Sequence, residues 1–258
     1  MPDVLYERKG HIAVITLNRP EARNAFTWAM LDEIAACWKR YADEDDAWVA
    51  IFTGAGDHFC AGMDLKKVRQ DKEAGTFTLP KPGDFSRIES PKSLGSYKPV
   101  IGAIKGSALA GGCNFAMICD LVVAAEDAQF GVTEPRWNLS GPWAAALTPH
   151  IGIRNAIEMT IYPRFTTAQR AKEMGFVNWV VPKEKVMDKA MEVAEAILEC
   201  GPGSVAAFLE TYYRTWGMPW PNSTHLGAHI QKSLKNMEDS LEGPRAFAEK
   251  RKPAWKNR

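Results

Sequence analysis

Val100-Ile-Gly-Ala-Ile-Lys-Gly-Ser-Ala-Leu-Ala-Gly-Gly-Cys-Asn114 opens on an apolar run and closes on a glycine pair. Val100–Ile104 has no polar alternation, which suits a strand covered on both faces. The segment after Gly111-Gly112 leaves room for a helix of no more than two turns. The same sign recurs upstream, where the apolar Val49–Thr53 leads into the glycine turn Phe59-Cys-Ala-Gly-Met-Asp64. Two further apolar runs, Ile12–Leu17 and Leu121–Ala125, read as strands of the same kind. Between the first two strands, Met30, Leu31, Ile34, Trp38 and Tyr41 share one face of a helical pattern. Strand, crossover and strand again define a layered α/β core, to which we assign residues 1–160.

Residues 161–258 read differently. Thr166–Met174, Lys185–Glu199, Val205–Tyr213 and His225–Leu241 are helical patterns between Gly/Pro breaks, interrupted by one strand-like stretch, Val177–Val181. A mostly helical region of this kind, appended to an α/β core, suits subunit contacts. Asp71–Gly95, rich in proline, glycine and polar residues, has no clear period and reads as a mobile surface loop.

The chain has 258 residues with 46% hydrophobic and 24% charged composition, enough to bury a sizeable core without disulfides or a structural metal. A net charge of +1 disfavours nucleic acid or an anionic membrane as the main partner. Cys37, Cys60, Cys113, Cys119 and Cys200 form no C-x-x-C and lie among apolar neighbours, as reduced, buried thiols would. No apolar run approaches the ~18 residues of a membrane span, and the N-terminus has no secretory h-region. The sequons at Asn138 and Asn222 then carry little meaning. The expectation is a soluble cytoplasmic protein.

The searched motifs exclude several chemistries. There is no phosphate-binding P-loop, no G-x-S-x-G and no H-E-x-x-H, and Gly54-Ala-Gly56 lacks the third glycine of a dinucleotide fingerprint. His225 and His229 are four apart but have no nearby third ligand, so no metal is expected. The basic tail Lys250, Arg251, Lys252, Lys256 and Arg258 is open to two readings, a phosphate contact or a solvated chain end. What remains is the pair of glycine turns. Glycine beside a strand end lets a backbone approach a ligand, and two such turns facing one point could offer N–H groups to a single oxygen atom. Gly111 would then open a helix, whose dipole favours negative charge at that end.

Seven pieces in order now resemble the enoyl-CoA hydratase/isomerase (crotonase) superfamily. They are Leu17-Asn-Arg-Pro-Glu-Ala-Arg-Asn-Ala25, Phe59-Cys-Ala-Gly-Met-Asp-Leu65, Gly106-Ser-Ala-Leu-Ala-Gly-Gly-Cys-Asn114, Cys119-Asp-Leu121, Gln129-Phe-Gly-Val-Thr-Glu134, Ala171-Lys-Glu-Met-Gly-Phe-Val177 and Ala246-Phe-Ala-Glu-Lys-Arg-Lys252. The resemblance implies a spiral of ββα units with a C-terminal helical region that builds trimers, often paired into hexamers. It implies a thioester oxygen held by the N–H groups of Met63 and Gly111, and Glu134 as the acid/base. It places the CoA adenine near the Ala61 carbonyl, the Ala22–Arg23 backbone along the CoA channel, and Phe247 and Lys250 at a neighbouring subunit's CoA. Coenzyme A enters as part of the substrate, so no separate cofactor is expected.

Such parts answer a chemical need. Thioester α-protons are too weakly acidic for a carboxylate in water, and each fixed donor at the enolate oxygen is worth about 2.7–4 kcal/mol in comparable oxyanion holes. Two departures bear on the reaction. Hydratases of the family carry a second glutamate where this chain has Asn114, and an amide is no general base although it can hold a water. Eight residues after Glu134, where hydratases supply a glycine N–H, stands Pro142, which has none. The reading is therefore an enoyl-CoA isomerase or hydratase with one glutamate. The alternatives are a hydratase-lyase of the hydroxycinnamoyl-CoA type, suggested by Ala61–Leu65 and Trp137, and a non-catalytic CoA-thioester- or RNA-binding relative. Tryptophans 137, 143, 216 and 220 either shape an acyl pocket or belong to the core.

Overall fold

The computed structural model describes residues 2–76, 90–162 and 164–257. The chain opens with a hairpin, β1 (Val4–Lys9) antiparallel to β2 (Ile12–Leu17). Helix α1 (Trp28–Asp43) follows, capped by the Thr27 hydroxyl, which accepts the Met30 N–H at 3.2 Å. Its buried residues are Met30, Leu31, Ile34, Trp38 and Tyr41, the face expected from the sequence. Next come β3 (Val49–Gly54), α2 (Leu65–Glu73), β4 (Val100–Ile104) and β5 (Ser107–Leu109). Then α3 (Gly111–Met117), β6 (Leu121–Ala125) and β7 (Gln129–Gly131) complete the part that carries the glycine turns.

Beyond them lie α4 (Leu147–Ile151), α5 (Ile153–Ile161), β8 (Thr166–Thr167), α6 (Ala168–Glu173), β9 (Trp179–Val181) and α7 (Val186–Leu198). Helices α8 (Pro202–Thr215), α9 (Trp220–Gln231) and α10 (Asp239–Glu249) end the chain. Six strands form one sheet in the order β1-β2-β3-β4-β6-β9, and β5-β7-β8 form a second. From β2 to β9 the first sheet is parallel. Its inner strands are buried on both faces, which is why their sequences do not alternate. Helix α7 covers β3, β4 and β6 with Val186, Ala190, Val193 and Ala194.

Several expectations change. Thr166–Met174 is not one helix: Thr166–Thr167 pair with β7, and the Thr167 hydroxyl then caps α6 by accepting the Arg170 N–H. The strand expected over Val177–Val181 is confined to Trp179–Val181, and it is not the sole strand of that region. His225–Leu241 divides into α9, a 3-10 turn over Lys232–Asn236 and the start of α10. Of the loop expected over Asp71–Gly95, residues 71–73 finish α2 and Pro91–Leu94 form a 3-10 turn, while 77–89 lie outside the described residues. Cys60, Cys113 and Cys119 are buried as expected, but Cys37 is half-buried and Cys200 exposed. Among the described residues no helix is long and apolar enough to cross a membrane.

One polar cluster ties the last helices to the sheet. Asp120 accepts the Val100 N–H at 2.7 Å and the Lys92 ammonium at 2.6 Å on one oxygen, and the Tyr213 hydroxyl from α8 at 2.7 Å on the other. The Asp120 side chain is 5% exposed, so its charge is compensated inside the protein by these three donors.

Candidate active site

Three chain segments run parallel into the site. Cys60 pairs with Ala108, and Ala108 pairs with Phe130 in the β5–β7 ladder. Each segment releases its chain at the same edge, and a few residues further on stand Met63, Gly111 and Glu134. Residues far apart in the chain are thus brought toward one another by strand register. The Ala110 N–H to Gly131 carbonyl bond, 2.8 Å, fastens the last two exits to each other.

The two glycine turns touch. Gly62 has φ +96°, and a Cβ there would lie 2.9 Å from the Ala110 Cβ and 3.7 Å from the Gly111 nitrogen. No side chain fits, and the backbone angle already favours glycine. Met63 is bracketed by two bonds to Phe26, the Phe26 N–H to the Gly62 carbonyl and the Asp64 N–H to the Phe26 carbonyl, both 2.9 Å. The Met63 N–H itself donates to no group among the described residues. Gly111 opens α3, so its N–H has no intrahelical acceptor and also finds no other partner among the described residues. Ala110, just before it, holds φ 51°, ψ −127°, a conformation costly for an L-residue and imposed by the surrounding bonds. The Phe26 ring lies against Gly111, where a Cβ would come within 2.6 Å of it.

The Leu17–Ala25 motif explains how Met63 is held. Arg19 donates to the Ala25 carbonyl and to Asp64 at 3.1 Å, and Asp64 also caps α2 by accepting the Lys67 N–H. Asn24, fully buried with φ 53°, accepts the Arg19 N–H and donates to the carbonyls of Ala55 and His58. The Arg23 carbonyl accepts the Ala61 N–H at 3.0 Å, and the Ala22 carbonyl accepts that of Ala25. Ala22, Arg23 and Ala61 therefore lie together beside the Met63 turn. A cavity of about 150 Å³ lined by Phe26, Trp28, Met63, Asp64, Lys67 and Val68 opens next to them.

Glu134 begins a 3-10 turn, Glu134–Trp137. Its Oε1 accepts the Trp143 indole N–H at 3.0 Å, while its Oε2 is buried and without a hydrogen bond among the described residues. The carboxylate faces α3, where its charge, together with burial as the larger cause, pushes the Cys113 thiol up to about 12. Asn114, the next residue of α3, is 5% exposed. Gly141 packs on the carboxyl group, since a Cβ on it would stand 3.0 Å from Oε1 and 2.7 Å from the indole nitrogen. So the glycine beside Glu134 is Gly141, one position ahead of the Pro142 read from family spacing. Pro142 instead starts the 3-10 turn Pro142–Ala146 that carries Trp143.

Phe247 and Lys250 are not brought to this place. Phe247 is 87% exposed on α10, and Lys250 ends that helix in the left-handed region at φ 55°. Trp137 and Trp220 are also exposed, whereas Trp143 is half-buried against the core. Sequence reading missed the Glu134–Gly141–Trp143 contact because a nine-residue separation through two short turns leaves no periodic sign. Among the described residues, no cluster of three or more His, Cys, Asp or Glu side chains is placed to hold a metal.

Two N–H groups without acceptors among the described residues stand on touching turns, with a half-buried carboxylate, its Oε2 buried, beyond the neighbouring strand; this is the arrangement a candidate acid/base site of the oxyanion type needs. The model of the family "Enoyl-CoA hydratase/isomerase" matches residues 7–258. The chain belongs to that family and is an enzyme of it. It is 40% identical over 262 residues to "Enoyl-CoA hydratase EchA19" of Mycobacterium tuberculosis, covering 100% of this chain and 97% of the relative. It is 35% identical to "Carnitinyl-CoA dehydratase" of Escherichia coli O157:H7, with 97% of each chain covered. The crystal structure of an enoyl-CoA hydratase from Mycobacterium tuberculosis superposes with TM-score 0.89 at 32% identity, each chain covered in full. The fold is the crotonase fold, a mixed α/β core followed by C-terminal helices.

Proposed function

We propose that this enzyme acts on enoyl-CoA thioesters through an enolate, with Glu134 as its one side-chain acid/base. The observation that carries the reading is the Glu134 carboxylate: its Oε2 is buried and without a hydrogen bond among the described residues, and it follows the strand that pairs with the one leading into the Gly111 turn. The Met63 and Gly111 N–H groups receive the thioester oxygen. As Glu134 takes a proton from the carbon beside the thioester carbonyl, the electron pair of that C–H bond moves into the enolate and the oxygen gains negative charge. Donors fixed in advance stabilise that charge without reorganising. In a 3-enoyl thioester the enolate extends over the double bond, and Glu134 returns the proton at the far carbon, moving the double bond from C3 to C2. Asn114 shapes the site and holds a water but exchanges no proton. Ala22, Arg23 and Ala61 line the CoA channel, and no cofactor beyond the substrate's own coenzyme A takes part.

Hydration of a 2-enoyl thioester is the second reading. Gly141 at the Glu134 carboxyl favours it, as do the relatives whose names include hydratase. We further propose a homo-oligomer, trimer or hexamer, in which Phe247 and Lys250 reach the CoA of the adjoining subunit, and a cytoplasmic setting for the free thiols. Matched 2-enoyl- and 3-enoyl-CoA thioesters of several chain lengths, with products weighed by mass spectrometry, test the chemistry: hydration adds 18 mass units, isomerisation none, and lyase action shortens the chain. Glu134→Gln should lower turnover about 10²–10⁴-fold while CoA still binds. Near-unaltered activity in folded Glu134→Gln would overturn the assignment.

A further inference from the structure

Trp143 emerges from the geometry as more than packing, and we infer that it is a positioning residue that holds Glu134 so that Oε2 alone exchanges the proton. The inference rests on Glu134 being the acid/base. The two carboxylate oxygens are unlike. Oε1 accepts the indole N–H at 3.0 Å and Oε2, though buried, has no partner among the described residues. A lone pair committed to a donor is a weaker base, so the proton taken from substrate goes to Oε2. The C–H electron pair stays with the substrate as enolate, and the same oxygen gives the proton back.

The parts around this pair are fitted to it. Indole is rigid, its N–H direction is set by two torsions, and the ring packs on the core as a half-buried surface. Pro142 fixes the first residue of the turn that aims it. Gly141 leaves room: a methyl group there would stand 2.7 Å from the indole nitrogen and 3.0 Å from Oε1, parting donor and acceptor. Glu134, Gly141 and Trp143 therefore make one assembly in which the indole donor favours one orientation of the carboxyl group. The titratable group facing Glu134 from another element is the Cys113 thiol of α3, which burial keeps neutral. On its own turn, the Arg136 guanidinium lies over the Phe165 ring, 4.4 Å from its centroid.

Two measurements on the full-length protein test this. The first needs no substrate: indole ¹⁵N–¹H spectra of the unaltered protein, Trp143→Phe and Glu134→Gln across a pH titration. Trp143→Phe should remove one indole signal; that signal should follow protonation of Glu134 in the unaltered protein and stay fixed in Glu134→Gln. The second is kinetic, with trans-3-hexenoyl-CoA and trans-2-hexenoyl-CoA as probes. Trp143→Phe, which keeps an aromatic ring and loses the donor, should lower kcat about tenfold with KM within about twofold. An indole signal indifferent to Glu134, or unchanged kcat in Trp143→Phe, overturns the inference. If Glu134→Gln is inactive in that case, the acid/base assignment stands. Full activity in Glu134→Gln instead overturns the assignment, and the indole titration still decides whether the pair exists.

Discussion

At Asn114 the proposed single-glutamate reading turns on one atom type, an amide where a second carboxylate would stand. Its side chain is almost fully buried on α3 beside Cys113, whose thiol feels the Glu134 charge. An amide there leaves a single carboxylate, which suits a proton shuttle better than the two-position work of adding water. On the proposed reading, Asn114→Glu supplies the second carboxylate that two-position acid/base work would use. The hydration-to-isomerisation ratio, measured on matched 2-enoyl and 3-enoyl thioesters, should rise by less than about tenfold, well short of a full general-base contribution. Family spacing made Pro142 a second obstacle to hydration; in the structure the glycine packed against the Glu134 carboxyl is Gly141, one residue earlier. Met63, Gly111 and Glu134 were legible because the turns that hold them have recognisable sequences. Trp143 was legible only as an aromatic residue with two possible uses, since its role arises from where Pro142 points it.

Elements differ in how plainly they are written. Strands β2, β3, β4 and β6 are apolar at successive positions because helices and the rest of the core cover both their faces. Strand β1 is an edge, half-buried at its start and charged at Glu7, Arg8 and Lys9, as protected edges are, and its sequence gives no apolar run to find. Strands β5, β7 and β8 have two or three residues each, too few for any period, yet they set the register on which the site depends. Helix α2 buries no residue, so Leu65–Glu73 offers no apolar face to read. The Cys119-Asp-Leu121 motif, by contrast, gains a physical meaning from α8: the Tyr213 hydroxyl donates to a carboxylate already paired with Lys92. A hydrogen bond to a buried charge is worth about 1.5–3 kcal/mol, so Tyr213→Phe should lower unfolding free energy by that amount in urea titration. A loss below about 0.5 kcal/mol would show that α8 is held by packing alone.

For the molecule as a whole, the surface of the isolated chain is unfinished. Ile153, Ile157 and Ile161 recur every four residues along α5, exposed by 63, 48 and 69%. Phe208 and Tyr212 do the same along α8, at 49 and 64% and with rings 6.2 Å apart, and Trp216 just past the helix end is 47% exposed. Residues four apart stack on one helix face, so each set is a stripe. Continuous apolar stripes of this size mark interaction surfaces, since burying each side chain recovers about 1 kcal/mol or more from the half still in water. Phe247, 87% exposed on α10, is a further large apolar side chain left in water. In the proposed oligomer the helices that carry these stripes meet copies of themselves, and the CoA site is completed there. Sedimentation should show a trimer or hexamer. Ile157→Glu and Tyr212→Glu should shift it toward monomer, because a charge within a buried interface costs several kcal/mol. Removing residues from 243 onward should weaken CoA-thioester binding, as Phe247 and Lys250 go with them. A monodisperse monomer that keeps full activity after that truncation would show that each chain builds its site alone, and that the stripes serve some other contact.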